Sequence, residues 1–403
     1  MLGRLLWNNL MNETTITSKK RIDWLDGIKG ISCLFIFFHH FCFQYFPSTY
    51  WGTAEKSMAN GFDTFLSQSP LGLIVNGNFF VHLFILISGY VITSVIISMK
   101  SQKIGIFIIK RYLKLLFPIA VYALIIFITR FVGYVGQEHF IKNICKEIYK
   151  TADSLLFGIL IRGNDGYVGT HLWMMNYIFM GSIFVSIISS LCWIYDGKQI
   201  IKLNIFIIAI LYLLPSQEKI HFASVFLGST LFMINYYYDI KISKFFIPIL
   251  IILGLFLGAF PTGVTPTNIY KYILIPFDKQ NGFTKFISHS ISAFLIILAC
   301  SKSNTLQTFF SKKIFLFLSK ISLWVFLLHG LIISFINNLF NVFLNYIHNY
   351  VFTVSIVFIL DLFGIIIVSY LFNKFITPIG NKFINYIVNK LFIEKEVSNI
   401  KQE

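Results

Sequence analysis

The sequence has few charged side chains. Only 12% of the 403 residues are Asp, Glu, Lys or Arg, whereas about 25% is usual in a soluble globular domain. Hydrophobic residues make up 56% of the chain, 46 of its residues are Phe, and the mean hydropathy is +0.75. A soluble core of ordinary size cannot bury so much apolar surface, so the composition excludes a soluble globular protein and indicates an integral membrane protein.

Cysteine is also scarce, with five residues in the whole chain. Their positions are 33, 42, 145, 192 and 300. No pair has the short spacing that is typical of a metal site, and most lie inside apolar runs, where Cys acts as a small packing residue. We therefore expect no disulfide framework and no metal site.

Acidic residues are half as frequent as basic ones, 17 against 33, which gives a formal net charge of +16. The Lys and Arg residues stand in short clusters between apolar runs and form no continuous basic face, so the charge does not indicate a nucleic-acid partner. Basic loops of this kind are typical of membrane topology, and the bilayer is the partner they indicate.

Apolar runs of spanning length recur along the chain and predict an all-α membrane protein, a bundle of about ten transmembrane helices. The predicted spans are 28–46, 79–98, 113–132, 171–194, 203–215, 221–238, 245–260, 287–300, 321–344 and 350–372. A further run, "SLLFGILI" at 154–161, is too short to span and is expected to lie in the interface or to re-enter.

The distribution of Lys and Arg among the loops favours a cytoplasmic location for both termini. No small-x-small cleavage site follows the first run, so we expect it to be retained as a helix. The predicted organisation is a cytoplasmic segment at 1–23, a membrane domain at 24–373 and a basic cytoplasmic tail at 374–403, with Lys spaced among apolar residues. No internal repeat is visible.

The stretch "RIDWLDGIKGISCLFIFFHHFC", residues 21–42, places two histidines deep in an apolar run. On a helix, Asp26, Lys29 and His40 fall within an arc of about 60°, whereas His39 points about 100° away from His40. Lys29 and His40 are three turns, about 16 Å, apart along the axis. Because ionisable groups are costly in hydrocarbon, this stripe is expected to face the bundle interior or a water-filled cavity. A structural, hydrogen-bonded histidine is the alternative reading for His40, and the favoured one for His39.

Five segments resemble motifs of the acyltransferase-3 family of membrane proteins, in the family's order. "LDGIKGISCLFIFFHH" resembles its opening motif, in which a basic residue precedes a functional His by eleven positions, as Lys29 precedes His40. The other four are "SPLGLIVNGNFFVHLFILISGYVIT", "FIIKRYLKLLFP", "HLWMMNYIFMGS" and "ISLWVFLLHG", which contain Asn78, Arg111, Lys114, His171, Trp173 and His329. The resemblance runs from about residue 24 to residue 335. It departs from the family pattern at Lys29, where Arg is usual, and at Ile178, where many members have Glu.

The resemblance implies transfer of an acyl group, usually acetyl, from a coenzyme A thioester to a hydroxyl, commonly on a cell-envelope polysaccharide or glycolipid. It implies no permanently bound cofactor, and a place in the plasma membrane of a bacterium. His is the side chain suited to take a hydroxyl proton near neutral pH, or to accept the acyl group itself. The expected catalytic residues are His40, with Lys29 and Asp26.

Donor binding is expected at Arg111 and Lys114, which share a helical face and match the family's basic block. Their alternative reading is an ordinary positive-inside anchor. Candidates on the acceptor side are His171, Trp173, His329 and Asn78. Two other functions stay open: a polysaccharide transporter or flippase, which would also line a cavity with polar residues, and an inactive family member, which the Ile178 departure suggests.

Overall fold

The computed structural model describes residues 22–99, 104–135, 139–163, 167–214, 216–273 and 283–393. Within these ranges the regular secondary structure is all helical and contains no β-strand, as the sequence predicts. Most of the predicted N-terminal segment, 1–21, and the last ten residues, 394–403, lie outside the described residues.

Fourteen α-helices are found in the described part of the chain. They are α1 (Asp23–Tyr45), α2 (Ser48–Trp51), α3 (Phe62–Gln68), α4 (Gly77–Ser98), α5 (Ile104–Tyr134), α6 (Phe140–Asp153), α7 (Trp173–Ser190), α8 (Gly197–Leu213), α9 (Gln217–Tyr237), α10 (Phe246–Gly258), α11 (Thr284–Ser301), α12 (Asn304–Phe310), α13 (Lys313–Ile347) and α14 (Tyr350–Val388). Short 3₁₀ turns cover Ala54–Lys56, Pro70–Val75, Thr170–Leu172, Leu191–Trp193 and Ile269–Ile273, and π-helical turns cover Ser154–Arg162 and Asn389–Ile393.

Seven helical segments among the described residues are long and apolar enough to cross a membrane. They are Asp23–Tyr45, Gly77–Ser98, Ile104–Tyr134, Thr170–Trp193, Thr284–Ser301, Lys313–Ile347 and Tyr350–Phe392. Each contains or overlaps a span predicted from the sequence, so the polytopic helical architecture is confirmed.

The other three predicted spans are helices that are too short, or not apolar enough over their length, to count as membrane-spanning. They correspond to α8, with 17 residues, α9, with 21 residues that include Glu218 and Lys219, and α10, with 13. About 20 apolar residues are needed to span the hydrocarbon core. The count of ten and the orientation of the termini therefore stay predictions.

Helices α1 and α13 run parallel and in close contact. Cys33 donates a hydrogen bond to the Ser322 carbonyl at 2.9 Å, and Gly30 lies so close to α13 that a Cβ there would be 2.5 Å from the Ser319 nitrogen. The stripe that contains Asp26, Lys29 and His40 faces this helix, which confirms that it points into the bundle.

Helix α4 runs antiparallel to α1, and its other side packs on α9. A Cβ at Gly89 would lie 2.0 Å from the Val225 carbonyl oxygen, and one at Gly228 would lie 1.9 Å from the Leu86 carbonyl oxygen. Glycine at these positions lets the two backbones approach, as small residues do between membrane helices.

Two further predictions concern shorter segments. The run at 154–161 forms part of the nine-residue π-helical turn Ser154–Arg162, which is too short to span, as the sequence indicates. Helix α14 continues without a break past residue 373, where the tail was predicted to begin, as far as Val388. The functional boundary at that point stays a prediction.

Candidate functional site

Four histidines from three separate parts of the chain meet at one end of the bundle, where α1 ends and α4 begins. The His40 ring centre lies 4.8 Å from that of His329 and 5.1 Å from that of His39, and the His329 ring centre lies 4.7 Å from that of His171. We call these four residues the histidine cluster and this end of the bundle the histidine end. Three of the four were predicted as site residues: His40, His171 and His329.

Local structure explains how each ring reaches the cluster. His40 lies on α1 and His329 on α13, and the parallel packing of these helices brings the two rings to the same depth. His171 lies in the 3₁₀ turn Thr170–Leu172 that precedes α7, and its ring packs edge-on against Tyr122 of α5 at 5.7 Å.

Backbone carbonyls fix one ring nitrogen in three of the four histidines. His39 Nδ1 lies 2.6 Å from the Val75 carbonyl oxygen, His329 Nδ1 lies 2.7 Å from that of Phe326, and His171 Nε2 lies 3.2 Å from that of Leu327. A carbonyl only accepts, so each of these nitrogens carries the proton, and the other nitrogen of a neutral ring is left as an acceptor. His40 differs from these three. No carbonyl of the described residues bonds to its ring, so none determines which of its nitrogens carries the proton.

A cavity of about 350 Å³ adjoins the cluster. It is lined by Ile36, His39, His40, Phe43, Tyr50, Trp51, Gly77, Asn78, Val81, Thr170 and Trp173. The predicted acceptor-side residues Asn78 and Trp173 thus share a cavity with His40. Its walls are mostly apolar and aromatic, with few polar groups, which is the usual make-up of a small-molecule site.

His39 is hydrogen-bonded, as expected of a structural histidine, but it also lines the cavity. The helical phase is correct, because His39 Nδ1 bonds to the Val75 carbonyl in the segment before α4. A Cβ on Gly77, the first residue of α4, would lie 2.5 Å from the His39 ring. That segment folds over the end of α1, so His39 lines the same cavity as His40. The sequence did not indicate that fold.

The predicted basic residues lie at the opposite end, which we call the basic end. Lys29 Nζ is 3.4 Å from Asp26 Oδ1, and Ser319 Oγ donates to the same oxygen at 3.4 Å. The Lys29 charge therefore has a partner on its own helix. Along α1 the basic end is about 16 Å from the His40 ring, so Lys29 and Asp26 do not contact the histidine cluster.

Arg111 and Lys114 are three residues apart on α5 but face different neighbours. The Arg111 guanidinium donates to the Ser182 hydroxyl of α7 and, at 2.8 Å, to the Ser88 hydroxyl of α4. Lys114 instead lines a small cavity of about 50 Å³ between α5, α13 and α14, together with Thr377 and Asn381. Arg111 thus links α5 to α4 and α7. Of the two basic residues, Lys114 is the one whose side chain borders a cavity.

A second group of histidines was missed by the sequence analysis. His82, His221 and His289 are fully buried on α4, α9 and α11, and the His82 ring centre lies 4.7 Å from that of His221 and 6.1 Å from that of His289. His82 Nδ1 is 2.8 Å from the Ser224 hydroxyl, and His289 Nε2 is 3.0 Å from Asn76 Nδ2. An ionisable residue inside an apolar helix is the signal that would have singled out His221 and His289.

The two groups of rings meet at Trp173, which lines the cavity and lies 5.1 Å from the His221 ring centre. Although the imidazoles are close together, no group of three His, Cys, Asp or Glu among the described residues is arranged to hold a metal ion.

At the position where many members of the resembled family have Glu, Ile178 is only 4% exposed. Its carbonyl accepts a hydrogen bond from Ser182, the hydroxyl that also receives a bond from Arg111. The side chain packs in the apolar core, deeper along α7 than His171. The titratable side chain that this segment brings to the histidine cluster is instead His171, in the turn before α7.

Comparison with known families matches residues 22–383 to the acyltransferase domain of the acyltransferase-3 family. The chain belongs to the acyltransferase-3 family. Comparison with curated proteins and with solved structures gives no match. The family match covers both the histidine cluster and the basic end, so the site lies within a multi-pass membrane acyltransferase domain.

Proposed function

We propose that the protein is an O-acyltransferase of the plasma membrane, which moves an acyl group, commonly acetyl, from coenzyme A to a hydroxyl of an envelope polysaccharide or glycolipid. The observation that supports this most is the placement of His40, beside His329 and at the wall of a 350 Å³ cavity, in a chain of this family. An imidazole is a suitable base for a hydroxyl near neutral pH.

In the proposed reaction, His40 takes the proton from the acceptor hydroxyl as its oxygen attacks the thioester carbonyl. A C–O bond forms, the C–S bond breaks, and the proton passes from His40 to the departing thiolate, so that the products are the ester and free coenzyme A. Alternatively, the His40 nitrogen attacks first, a C–N bond forms and the C–S bond breaks, so that the coenzyme A thiolate leaves. The hydroxyl oxygen then attacks the acyl-imidazole, the C–N bond breaks, and the hydroxyl proton goes to the thiolate. Both routes use the same ring.

His329 has a supporting role in this proposal. Its Nδ1–H is held by the Phe326 carbonyl at 2.7 Å, which leaves Nε2 as an acceptor. An N–H of His40 directed to that nitrogen would leave the other His40 nitrogen basic. This is the arrangement of a base oriented by a third group, which holds one tautomer and stabilises the charged ring that forms.

The basic end is the proposed entry side for the donor, because coenzyme A is anionic and cytoplasmic. Lys114 is the proposed phosphate-binding side chain, since it lines a cavity with Thr377 and Asn381. Arg111 supports this region from inside the bundle through Ser88 and Ser182. With the N-terminus in the cytoplasm, the donor phosphates would lie at the basic end and the acceptor at the histidine end.

The acceptor is proposed to bind at the wall formed by Asn78, Thr170 and Trp173, which line one cavity with His40. Asn78 supplies a donor and an acceptor for sugar hydroxyls, and the flat Trp173 ring offers an apolar face. His171 is 4.7 Å, between ring centres, from His329, and supports the cluster from the side of α7.

Envelope glycans from a deletion strain test the proposal. We expect mass spectrometry to show that ester-linked acyl groups are lost while the polymer still reaches the surface. Complementation with the wild-type gene should restore the groups, and His40→Gln should not, although it inserts equally well. Intact acylation with polymer retained inside would contradict the proposal and favour a transporter. Restoration by His40→Gln would favour an assembly role for an inactive family member.

A further inference from the structure

Helix α6 lies beside the site but is not a membrane span. It follows α5, and among its exposed side chains are Ile141, Ile148 and Tyr149, which are 76%, 54% and 72% exposed. Lysines at positions 142, 146 and 150 alternate with them. A helix of this composition is typical of one that lies in the plane of the membrane interface, at the end of α5 that leads toward His171.

One acidic side chain of α6 points away from the interface and into the protein. Glu147 is 2% exposed, and its Oε1 lies 2.8 Å from Arg130 Nη1 of α5. Its other oxygen accepts a hydrogen bond from the Tyr167 hydroxyl. A buried carboxylate that keeps both a charge partner and a hydroxyl donor is strongly held, because charge-assisted hydrogen bonds are about twice as strong as neutral ones.

Arg130 closes this group from the opposite side. It donates from Nη2 to the Tyr167 carbonyl, and its guanidinium carbon stacks 4.5 Å from the centre of the Tyr167 ring. Lys150 Nζ lies 4.8 Å from the same ring centre. Arg130, Glu147 and Tyr167, which we call the loop anchor, thus hold Tyr167 by its backbone, its ring and its hydroxyl.

The segment that follows Tyr167 leads directly into the site. Val168 is 3% exposed, and a Cβ on Gly169 would lie 3.2 Å from the Tyr122 hydroxyl. Thr170 then lines the cavity, and His171 comes four residues after Tyr167. A segment this short transmits a displacement at its first residue to its last, because it has little slack to absorb the change.

We propose that Arg130, Glu147 and Tyr167 are positioning residues that hold Thr170 and Trp173 at the cavity wall and His171 in the histidine cluster. They touch neither the cavity nor the rings of the histidine cluster, so their effect passes through the backbone of residues 167–171. The effect on acyl transfer rests on the proposed function, whereas the restraint on the loop does not. A displacement of about 1 Å in residues that position a substrate can lower the reaction rate about a hundredfold.

Tyr167→Phe is the most informative variant. It removes the bond to Glu147 but leaves the Arg130–Glu147 pair and the ring stacking in place, so folding should survive. Glu147→Ala would leave Arg130 without its buried partner and risks misfolding, so Glu147→Gln, which keeps an accepting oxygen, is the second variant. Asp153→Asn is the matched control. Asp153 is the last residue of α6, and its ion pair with Arg162 of the following π-helical turn is more exposed, at 37% for Asp153 and 53% for Arg162.

A labelling experiment tests the restraint without relying on catalysis. Val168→Cys, at a position that is 3% exposed, is introduced into a Cys145→Ser chain. Its rate of reaction with a polar maleimide is measured in detergent, with the chain lacking the reporter as background. We expect Tyr167→Phe to raise the labelling rate at least about threefold, since local opening sets the access of a held segment. Asp153→Asn should leave the rate unchanged.

Steady-state kinetics test the positioning effect in chains that keep their native Val168. Tyr167→Phe and Glu147→Gln should lower kcat/KM for the acceptor about tenfold while the donor KM changes by less than about twofold. An unchanged labelling rate in Tyr167→Phe overturns the proposal, as does a faster rate with wild-type acceptor kinetics. If the wild-type chain transfers no acyl group, the proposed function fails, and the labelling rate alone decides whether the anchor restrains the loop.

Discussion

At the scale of single residues, His40 differs from the other three rings of its cluster in how it is held. Carbonyl oxygens of Val75, Phe326 and Leu327 each fix one nitrogen of a neighbouring ring. His40 instead packs against two rings and lines the cavity. No described carbonyl bonds to either His40 nitrogen, and a base or an acyl acceptor requires a ring nitrogen that is not committed in this way.

Substitution of the adjacent histidines should separate their roles. His40→Ala should lower turnover at least about a hundredfold, the usual contribution of a general base. His39→Ala should cost less than about tenfold, because its Nδ1 proton is committed to the Val75 carbonyl and only its packing at the cavity is lost. Turnover is measured on purified protein, with His40→Gln as the control of similar size. A larger loss in His39→Ala than in His40→Ala would contradict the assignment.

Arg111 and Lys114 should respond differently to truncation. Arg111→Ala leaves the Ser88 and Ser182 hydroxyls without their donor, and we expect a loss of stability of about 1–3 kcal/mol. Lys114→Ala should leave stability unchanged and weaken the binding of acetyl-CoA. Thermal unfolding and donor binding are measured for both, with Arg111→Lys as the charge-conserving control. Wild-type donor affinity in Lys114→Ala would return this residue to the role of a topological anchor.

At the scale of helices, the close crossing of α4 and α9 depends on the absence of a side chain at Gly89. Gly89→Ala places a methyl group about where the Val225 carbonyl oxygen stands, and overpacking of this kind costs about 1–3 kcal/mol. Gly105→Ala is the control, because no atom lies within 4 Å of a Cβ there. Thermal unfolding in detergent should show destabilisation for Gly89→Ala alone; equal stability of the two variants would contradict the crossing.

The ion pair between Arg130 of α5 and Glu147 of α6 should make the free energy of unfolding depend on pH. Burial alone raises the pKa of Glu147, but the hydrogen bonds from Tyr167 and Arg130, the Arg130 charge and the bond from Tyr134 outweigh it, so the pKa is lowered below 4.5. The carboxylate therefore stabilises the fold fully above the unfolded pKa and loses that contribution as pH falls through the folded pKa.

Glu147→Gln should remove this part of the acid response. As the pH falls below about 4.5, the unfolding temperature of the wild type should drop more steeply than that of Glu147→Gln. The titratable groups that face Glu147 are Arg130 and Tyr134 on α5 and Tyr167 in the following segment, and none of them changes its charge in this range. Asp153→Asn controls for the loss of a carboxylate. Parallel curves for wild type and Glu147→Gln would contradict the lowered pKa.

At the scale of the whole molecule, orientation can be read from two cysteines. Cys145 is exposed on α6 and Cys192 is partly exposed after α7. Helix α6 follows the end of α5 that lies beyond His171, whereas α7 begins beside His171 and runs to the basic end. The two cysteines therefore lie at opposite ends of the bundle. If the N-terminus is cytoplasmic, a membrane-impermeant maleimide should label Cys145 in intact cells and Cys192 only after permeabilisation. Cys145→Ser and Cys192→Ser assign the two signals. Labelling in the reverse order would place the histidine end in the cytoplasm.

Sequence reasoning located the parts of the site that belong to single helices. The spacing of Lys29 and His40 placed both on one face of α1, and that face contacts α13. The same reasoning did not join His82, His221 and His289, since they are far apart in the chain and periodicity within a helix says nothing about which helix lies opposite. Glu147 was missed for the same reason, because its partners belong to α5 and to a loop.

The sequence by itself determined that the protein lies in a lipid bilayer and that its secondary structure is helical. With 56% hydrophobic residues and 12% charged, the chain can satisfy its backbone in a bilayer only as helices or as a closed barrel, and the uninterrupted apolar runs select helices. The order of the motifs also indicated the family.

Only the tertiary structure decided which polar side chains meet. The parallel pairing of α1 and α13 brings His40 to His329, and the turn before α7 adds His171. Lipid is as apolar as the side chains, so apolar periodicity does not choose between neighbouring helices. Close backbone contact at glycines such as Gly30 and Gly89, together with hydrogen bonds between helices, makes that choice.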